Sequence, residues 1–400
     1  MDLDDVRRDF PILATGITYL DSAASSLTPE PVLNKMLEFY HQYRANIARG
    51  VHQLSQKASE EYGKARIKIS CFINAKSSDE VVITKNTSEG INTIASGLKW
   101  RKGDTIVTTG MEHNSNFIVW LRVKERYGVE VKIVKPKKDG TFDLSDFEKA
   151  VDDRTRLLAV THASNVLGTI TPVTEITKIA HKHGALVLLD GAQSVPHMRV
   201  DVRKIDCDFL AFSGHKMCGP TGIGVLYLRE ELLDDIEPLC VGGGTVKDVS
   251  LNAYTSVKGP KRFEAGTPPI AEVIGLGAAV DYLKRIGIDN IREHDVKLIR
   301  RVYNRIIEIP NVTIYGPEPE QRVGIFSFNI EGLSPHDVAL ALDATAKIMI
   351  RSGAHCAQPL MKDVIYRPSG TARASTYLYN TEEEADKFVE VVSELSASMN

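Results

Sequence analysis

Asp208-Phe209-Leu210-Ala211-Phe212-Ser213-Gly214-His215-Lys216 is an apolar run that stops abruptly in small, polar and basic residues. Such a run reads as a buried strand, and its small, polar end as the loop beyond the strand's carboxyl end. Ligands of open α/β sheets sit beyond the carboxyl ends of the strands, so Lys216 stands where an amine can form an imine with an aldehyde cofactor. A second apolar run, Leu186-Val187-Leu188-Leu189-Asp190, ends in a carboxylate and continues as Gly191-Ala192-Gln193. Asp190 is then suited to pair with a protonated ring nitrogen. Taken singly, each motif also describes a surface lysine after a core strand, or an aspartate capping a turn.

Outward from these two runs the same rhythm continues. Between Glu80 and Leu228 short β-branched runs alternate with amphipathic segments, the pattern of an α/β domain with a mostly parallel sheet covered by helices on both faces. Seven strands are expected, near residues 81–84, 105–109, 131–134, 157–161, 186–189, 209–213 and 224–228. The last follows the short turn Gly219-Pro220-Thr221-Gly222, which leaves no room for a helical crossover, so it is predicted antiparallel. Helices at 31–44 and 56–73 would pack the N-terminal segment onto this domain. After Gly242-Gly243-Gly244 the pattern is irregular as far as Ala271, as in a connector between domains. Helices at 271–286 and 290–307 follow, then strands near 312–315, 325–330 and 347–350 and a final helix from Glu382, which suits a small α+β domain. A chain of 400 residues exceeds one comfortable core, and the expected division is a large domain at 16–268 and a small one at 269–400, with residues 1–15 packing near the latter.

Composition excludes more than it assigns. A net charge of -3 and a pI near 6.4 give no electrostatic reason to expect nucleic acid or an anionic membrane as partner. The N-terminal Met1-Asp2-Leu3-Asp4-Asp5-Val6-Arg7-Arg8 is acidic and lacks an apolar core, and no apolar run is long enough to span a bilayer, so a cytoplasmic protein is expected. Cys71, Cys207, Cys218, Cys240 and Cys356 form an odd, sparse set without CxxC spacing, which argues against a disulfide framework or a metal site.

Lys216 and Asp190 together match what pyridoxal phosphate requires: a lysine for the aldehyde carbon, and an acid that keeps the pyridinium charged and electron-withdrawing. In this order along the chain they resemble the fold-type I pyridoxal phosphate enzymes of the aminotransferase class V group, over nearly the whole length. Asn86-Thr87-Ser88-Glu89-Gly90 follows a strand and opens a helix, where unpaired amides favour an anion; by itself it is also an ordinary N-cap. The resemblance makes Thr87 and Ser88 phosphate ligands, with Ser213 and His215 adding contacts. It implies that His113, in Met111-Glu112-His113-Asn114-Ser115-Asn116, stacks on the pyridine ring and relays protons. Gln193 resembles the residue that hydrogen-bonds the cofactor's phenolic oxygen, and Asn165 fits a polar contact to the substrate carboxylate or the cofactor. Arg262-Phe263-Glu264-Ala265-Gly266-Thr267-Pro268 matches a family motif whose threonine, here Thr267, reaches the phosphate of the neighbouring subunit, which implies a homodimer.

The stretch Arg351-Ser352-Gly353-Ala354-His355-Cys356-Ala357-Gln358-Pro359-Leu360 places a cysteine beside His355 in a loop that glycine makes adaptable. Arg351 and Arg373 nearby would favour its thiolate. The string resembles the group II (Suf-type) cysteine desulfurases, and Arg373-Ala374-Ser375 with Tyr379-Asn380-Thr381 continues the match. The resemblance implies conversion of L-cysteine to L-alanine, with Lys216 as base, Arg373 clamping the α-carboxylate and sulfur held on Cys356 as a persulfide for an iron-sulfur scaffold or other acceptor. A selenocysteine lyase would share nearly every residue, and a class V transaminase would share the cofactor site without needing Cys356. A noncatalytic assembly scaffold would leave both nucleophiles unused. Two positions depart from the group: Ala354, often histidine there, and Cys218, commonly an aromatic.

Overall fold

In the computed structural model, which describes residues 2–48 and 50–398, the apolar runs line up as a single seven-stranded sheet. Its strands are β1 (Val81–Thr84), β2 (Thr105–Thr109), β3 (Glu130–Val134), β4 (Thr155–Thr161), β5 (Leu186–Asp190), β6 (Phe209–Ser213) and β7 (Gly224–Leu228). They stand in the order β1-β7-β6-β5-β4-β2-β3. As expected from the short turn before it, β7 runs antiparallel to both β6 and β1, while every other pairing is parallel. The central strands read as continuous apolar runs because both faces are covered: Leu158, Val160, Val187, Leu189, Leu210 and Phe212 join one core, and Leu157, Ala159, Leu188, Phe209 and Ala211 the other. Helix Gln53–Phe72 covers the first face and helix Thr87–Gly97 the second.

Helix Ile270–Ile286 packs into the first of these cores, against helices Glu30–Gln42 and Gln53–Phe72. A boundary at 268 cuts across that packing. By core membership we propose that helix Ile270–Ile286 is part of the large unit, whose core also takes in Ile291 and Tyr377, Leu378 and Tyr379 at the junction with the small one. The segment expected as irregular connector contains an exposed antiparallel hairpin, Val246–Val249 with Tyr254–Ser256.

The small unit holds an antiparallel sheet of β8 (Val312–Tyr315), β9 (Ile325–Ile330), β10 (Arg351–Gly353) and β11 (Thr371–Ser375), ordered β8-β9-β11-β10. Phe326 and Phe328 of this sheet bury against Leu298 of helix Ile288–Ile306 and Phe388 of helix Glu382–Ala397. The strand expected at 347–350 does not join it. Ile348–Met349 instead pairs in parallel with Thr18–Tyr19. Nearer the seam, Arg7 bridges to Glu384 at 2.9 Å, and the Phe10 ring packs edge-on against Tyr282 and Tyr379.

Candidate active site

The parallel strands deliver their carboxyl ends to one edge of the large sheet, and a cavity of about 270 Å³ opens there. Thr87, Ser88, His113, Asn165, Asp190, Gln193, Ser213, His215, Lys216, Arg351, Cys356 and Arg373 all line it; Thr267, expected to reach the cofactor of a neighbouring subunit, does not, nor do Cys218 and Ala354. Thr267 lines a separate cavity of about 490 Å³ with Tyr62, Arg66 and Glu264.

One wall gathers hydroxyls at the start of a helix. Helix Thr87–Gly97 is capped by Asn86, whose side chain accepts from the Glu89 N–H. The Thr87 N–H donates to Ser213 Oγ at 2.9 Å, and Thr87 Oγ1 lies 2.7 Å from the same oxygen, while Ser88 and Ser115 hydroxyls meet at 2.6 Å. This geometry needs β7 to pass tight against the helix start. A Cβ at Gly224 would lie 2.5 Å from the Asn86 Cα, so only glycine fits.

Across the cavity Lys216 follows β6 and Asp190 ends β5. Burial pushes the Lys216 amine down to about 8; Asp190 opposes that shift, and Arg373 and Arg351 add to it. Burial raises the Asp190 carboxyl, against the Ala192 N–H donated at 3.0 Å and the charge of Lys216. His113 accepts the Ser115 N–H at Nδ1 (3.1 Å), so its second nitrogen carries the proton. Burial, then Lys216 and Arg373, lowers its pKa to about 4 and keeps the imidazole neutral. His215 is likewise held down near 4 by burial.

The small unit supplies the third wall. His355 and Cys356 both have left-handed backbone, φ 49° and 55°, which costs an L-residue of order 1–3 kcal/mol each. The loop is held in that shape from several sides. Asn114 donates its N–H to the Cys356 carbonyl (2.6 Å), Asn165 Nδ2 donates to the His355 carbonyl (2.8 Å), and His355 Nε2 donates to the Thr371 carbonyl (3.0 Å). The amide of Asn165, expected to touch a ligand, thus also ties down the cysteine loop. The Cys356 thiol remains exposed. On β11, Arg373 is 2% exposed, donates from Nη1 to the Asn165 carbonyl (2.9 Å) and bonds Asp21 from Nη2 (3.0 Å).

Cys218 stands apart from this chemistry. It is buried outside the cavity lining, its N–H donates to Ser26 Oγ (2.8 Å), and burial pushes its thiol pKa up. Two contributors went unnoticed in the sequence. Asp21 lies 352 residues from its partner Arg373 and carries no local signal. Glu112 is 1% exposed and is held by Thr109 Oγ1 (2.6 Å), Asn116 Nδ2 (2.6 Å) and the Thr161 N–H (3.0 Å); burial raises it to about 8.

Among the described residues, three that line the cavity keep a buried polar atom with no hydrogen-bond partner: Gln193 Oε1, His355 Nδ1 and Arg373 Nε. Such atoms are costly to leave unmet: Gln193 Oε1 and His355 Nδ1 call for a donor and Arg373 Nε for an acceptor, so a ligand carrying both kinds of group answers them. An amine, a carboxyl across from it and an amide-lined helix start fit a phosphorylated pyridine aldehyde.

This fold and site belong to a known class of enzymes. The chain belongs to the aminotransferase class-V family, which matches residues 18–388. It is 49% identical over 398 residues to a probable cysteine desulfurase of Methanothermobacter thermautotrophicus, covering 99% of this chain and 98% of that one. It is 43% identical to a cysteine desulfurase of Escherichia coli, covering 97% and 96%. The apo cysteine desulfurase of Thermococcus onnurineus NA1 superposes with a TM-score of 0.95 at 47% identity, covering 99% and 98%. The S-sulfonic acid form of the Escherichia coli cysteine desulfurase CsdA does so with 0.92 at 33%, covering 100% and 99%.

Proposed function

We propose that the protein is a pyridoxal-phosphate-dependent cysteine desulfurase of the Suf-type group, converting L-cysteine to L-alanine and holding the sulfur on Cys356. The observation that carries this is the meeting of Lys216, Asp190, Arg373 and an accessible Cys356 on the walls of one cavity. Pyridoxal phosphate, when bound, supplies an electron sink for the bonds to the substrate α-carbon. The residues do the rest. Thr87, Ser88, Ser213 and His215 would hold its phosphate, Asp190 would keep the ring nitrogen charged, Gln193 would bond the phenolic oxygen, and neutral His113 would pack against the ring. Arg373 and Arg351 fix the substrate carboxylate, with Asn165 beside them.

Lys216 then moves the proton. Its lowered pKa suits an amine that must be neutral to accept from the α-carbon and charged to give back. The Cys356 thiolate attacks the substrate sulfur. A sulfur-sulfur bond forms as the carbon-sulfur bond breaks, the electron pair stays with the three-carbon fragment, and protonation there completes alanine. No outside oxidant is required, since one thiol hydrogen ends on carbon and Cys356 ends as a persulfide. A transaminase would share the lysine and aspartate but has no task for Cys356.

Thr267 suits a task in a second subunit, since its surroundings, Gly243, Gly244, Gly266 and Pro268, lie outside the cavity of its own chain. A homodimer is therefore part of the proposal, as is a sulfur-acceptor or iron-sulfur scaffold protein. Five free cysteines fit a reducing compartment such as the cytoplasm. Among the described residues no helix is long and apolar enough to cross a membrane. Incubating the loaded protein with L-cysteine, with and without a keto acid, tests the reading: alanine and protein-bound sulfur are expected without the keto acid, and alanine only with it would mark a transaminase.

A further inference from the structure

We propose that Asp21 is a positioning residue for substrate recognition, holding Arg373 so that its Nε edge is presented to the α-carboxylate of the amino acid. This rests on the proposed function, in which Arg373 binds that carboxylate. The guanidinium has five N–H donors in a rigid fork. Nη1 is taken by the Asn165 carbonyl at 2.9 Å and Nη2 by Asp21 Oδ1 at 3.0 Å, while the buried Nε has no partner among the described residues. The Nε edge is thereby left to donate to a carboxylate, the kind of charge-assisted bond an arginine makes well.

Asp21 is itself placed by the strand it serves. It forms a parallel bridge with Ser375, two residues beyond Arg373, and the Ser375 N–H donates to the Leu20 carbonyl at 2.8 Å. The register of one strand pair therefore fixes carboxylate against guanidinium. The same segment continues into the cavity wall at Ala23 and Ala24, where Ala23 accepts from Gln193 Nε2 at 2.7 Å. Arg351 stands 3.8 Å from the other Asp21 oxygen. Two arginines and one aspartate leave a single positive charge, which one substrate carboxylate neutralises.

The holoenzyme tests this with Asp21→Ala and Asp21→Asn. Asp21→Ala is expected to raise KM for L-cysteine about tenfold, the ~1.4 kcal/mol of one charge-assisted contact, with kcat changed less than about threefold. L-Alanine, titrated against the visible absorbance of the bound cofactor, should bind about tenfold more weakly, and ethylamine, which has no carboxylate, should bind as in the parent. Asp21→Asn keeps an acceptor oxygen for Nη2 and should fall between parent and alanine variant. Unchanged or tighter L-alanine binding in either variant overturns the proposal, because Asp21 would then be a competitor for Arg373. An equal loss for ethylamine also overturns it, by showing general damage. Should Asp21→Ala fail to fold, the near-isosteric asparagine variant decides the matter alone. A parent that binds L-alanine yet makes none from L-cysteine would refute the desulfurase while leaving the Asp21 comparison intact.

Discussion

The lowered pKa of Lys216 has a direct kinetic consequence for cofactor loading. The nucleophile toward an aldehyde is the neutral amine, so the second-order rate of pyridoxal phosphate capture by cofactor-free enzyme should follow the neutral fraction of Lys216. With its pKa held near 8 by burial, roughly a tenth of the amine is neutral at pH 7. An ordinary lysine is neutral in only about one molecule in a few thousand, so the site gains a few-hundred-fold. Mixing cofactor-free protein with pyridoxal phosphate from pH 6 to 10, and following the visible band, should give a rate that climbs to a plateau with a midpoint near 8. Variants move that midpoint in opposite senses. Asp190 raises the Lys216 pKa, so Asp190→Asn should lower the midpoint; Arg351 depresses it, so Arg351→Gln should raise it slightly. Lys216→Ala should show no such band. A rate still climbing past pH 10, or Asp190→Asn and Arg351→Gln shifting the midpoint the same way, would refute the electrostatic account.

Asp190→Asn should retain cofactor, because the phosphate and ring contacts remain, yet lose about 10²–10³-fold in alanine production, as removal of one preorganised charge usually costs; near-parental turnover would contradict its proposed role. Glu112 gives a pH test of stability. Its folded pKa, near 8, lies above the ordinary carboxyl value near 4.5, so the folded state binds the extra proton and its contribution is complete below about 4.5 and lost as pH rises through 8. Glu112→Gln should flatten the fall in thermal midpoint between pH 5 and 8, measured on cofactor-free protein; an unaltered slope would show that another group controls it.

The large sheet was legible because both of its faces are buried: residues 157–160 and 209–212 are apolar at consecutive positions, and the strands end at Thr161 and Ser213, which line the cavity. The short turn before Gly224 disclosed an antiparallel strand for the same local reason. Of the small sheet, the strands at 312–315 and 325–330 were read from the sequence, and those at 351–353 and 371–375 were not. Thr371-Ala372-Arg373-Ala374-Ser375 alternates polar residues with nothing larger than alanine, a weak strand signal, and its buried arginine is satisfied by a distant carboxylate and a carbonyl, while the more strand-like Ile348 pairs near the N-terminus instead. Helix Ile270–Ile286 is apolar on most of its surface, which tells of burial but not of which core receives it. The site residues at strand ends were visible through position and chemistry, whereas Asp21 depends on a pairing across nearly the whole chain. Glu112 sat in plain view within the His113 motif, and only its burial distinguishes it from a solvated turn residue.

The most direct test of the account is the location of sulfur after a brief exposure of the loaded enzyme to L-cysteine. Mass spectrometry of the digested protein should find one added sulfur on the peptide containing Cys356, removed by thiol reductant and formed in step with alanine. Cys356→Ser should bind pyridoxal phosphate normally and take up L-cysteine, with its visible band changing as in the parent. It should accumulate no persulfide, because a hydroxyl stays protonated near neutral pH and is a poor nucleophile toward sulfur. Added sulfur on Cys218 or Cys240 instead, or full alanine production by Cys356→Ser, would contradict the assignment of Cys356 as the sulfur acceptor.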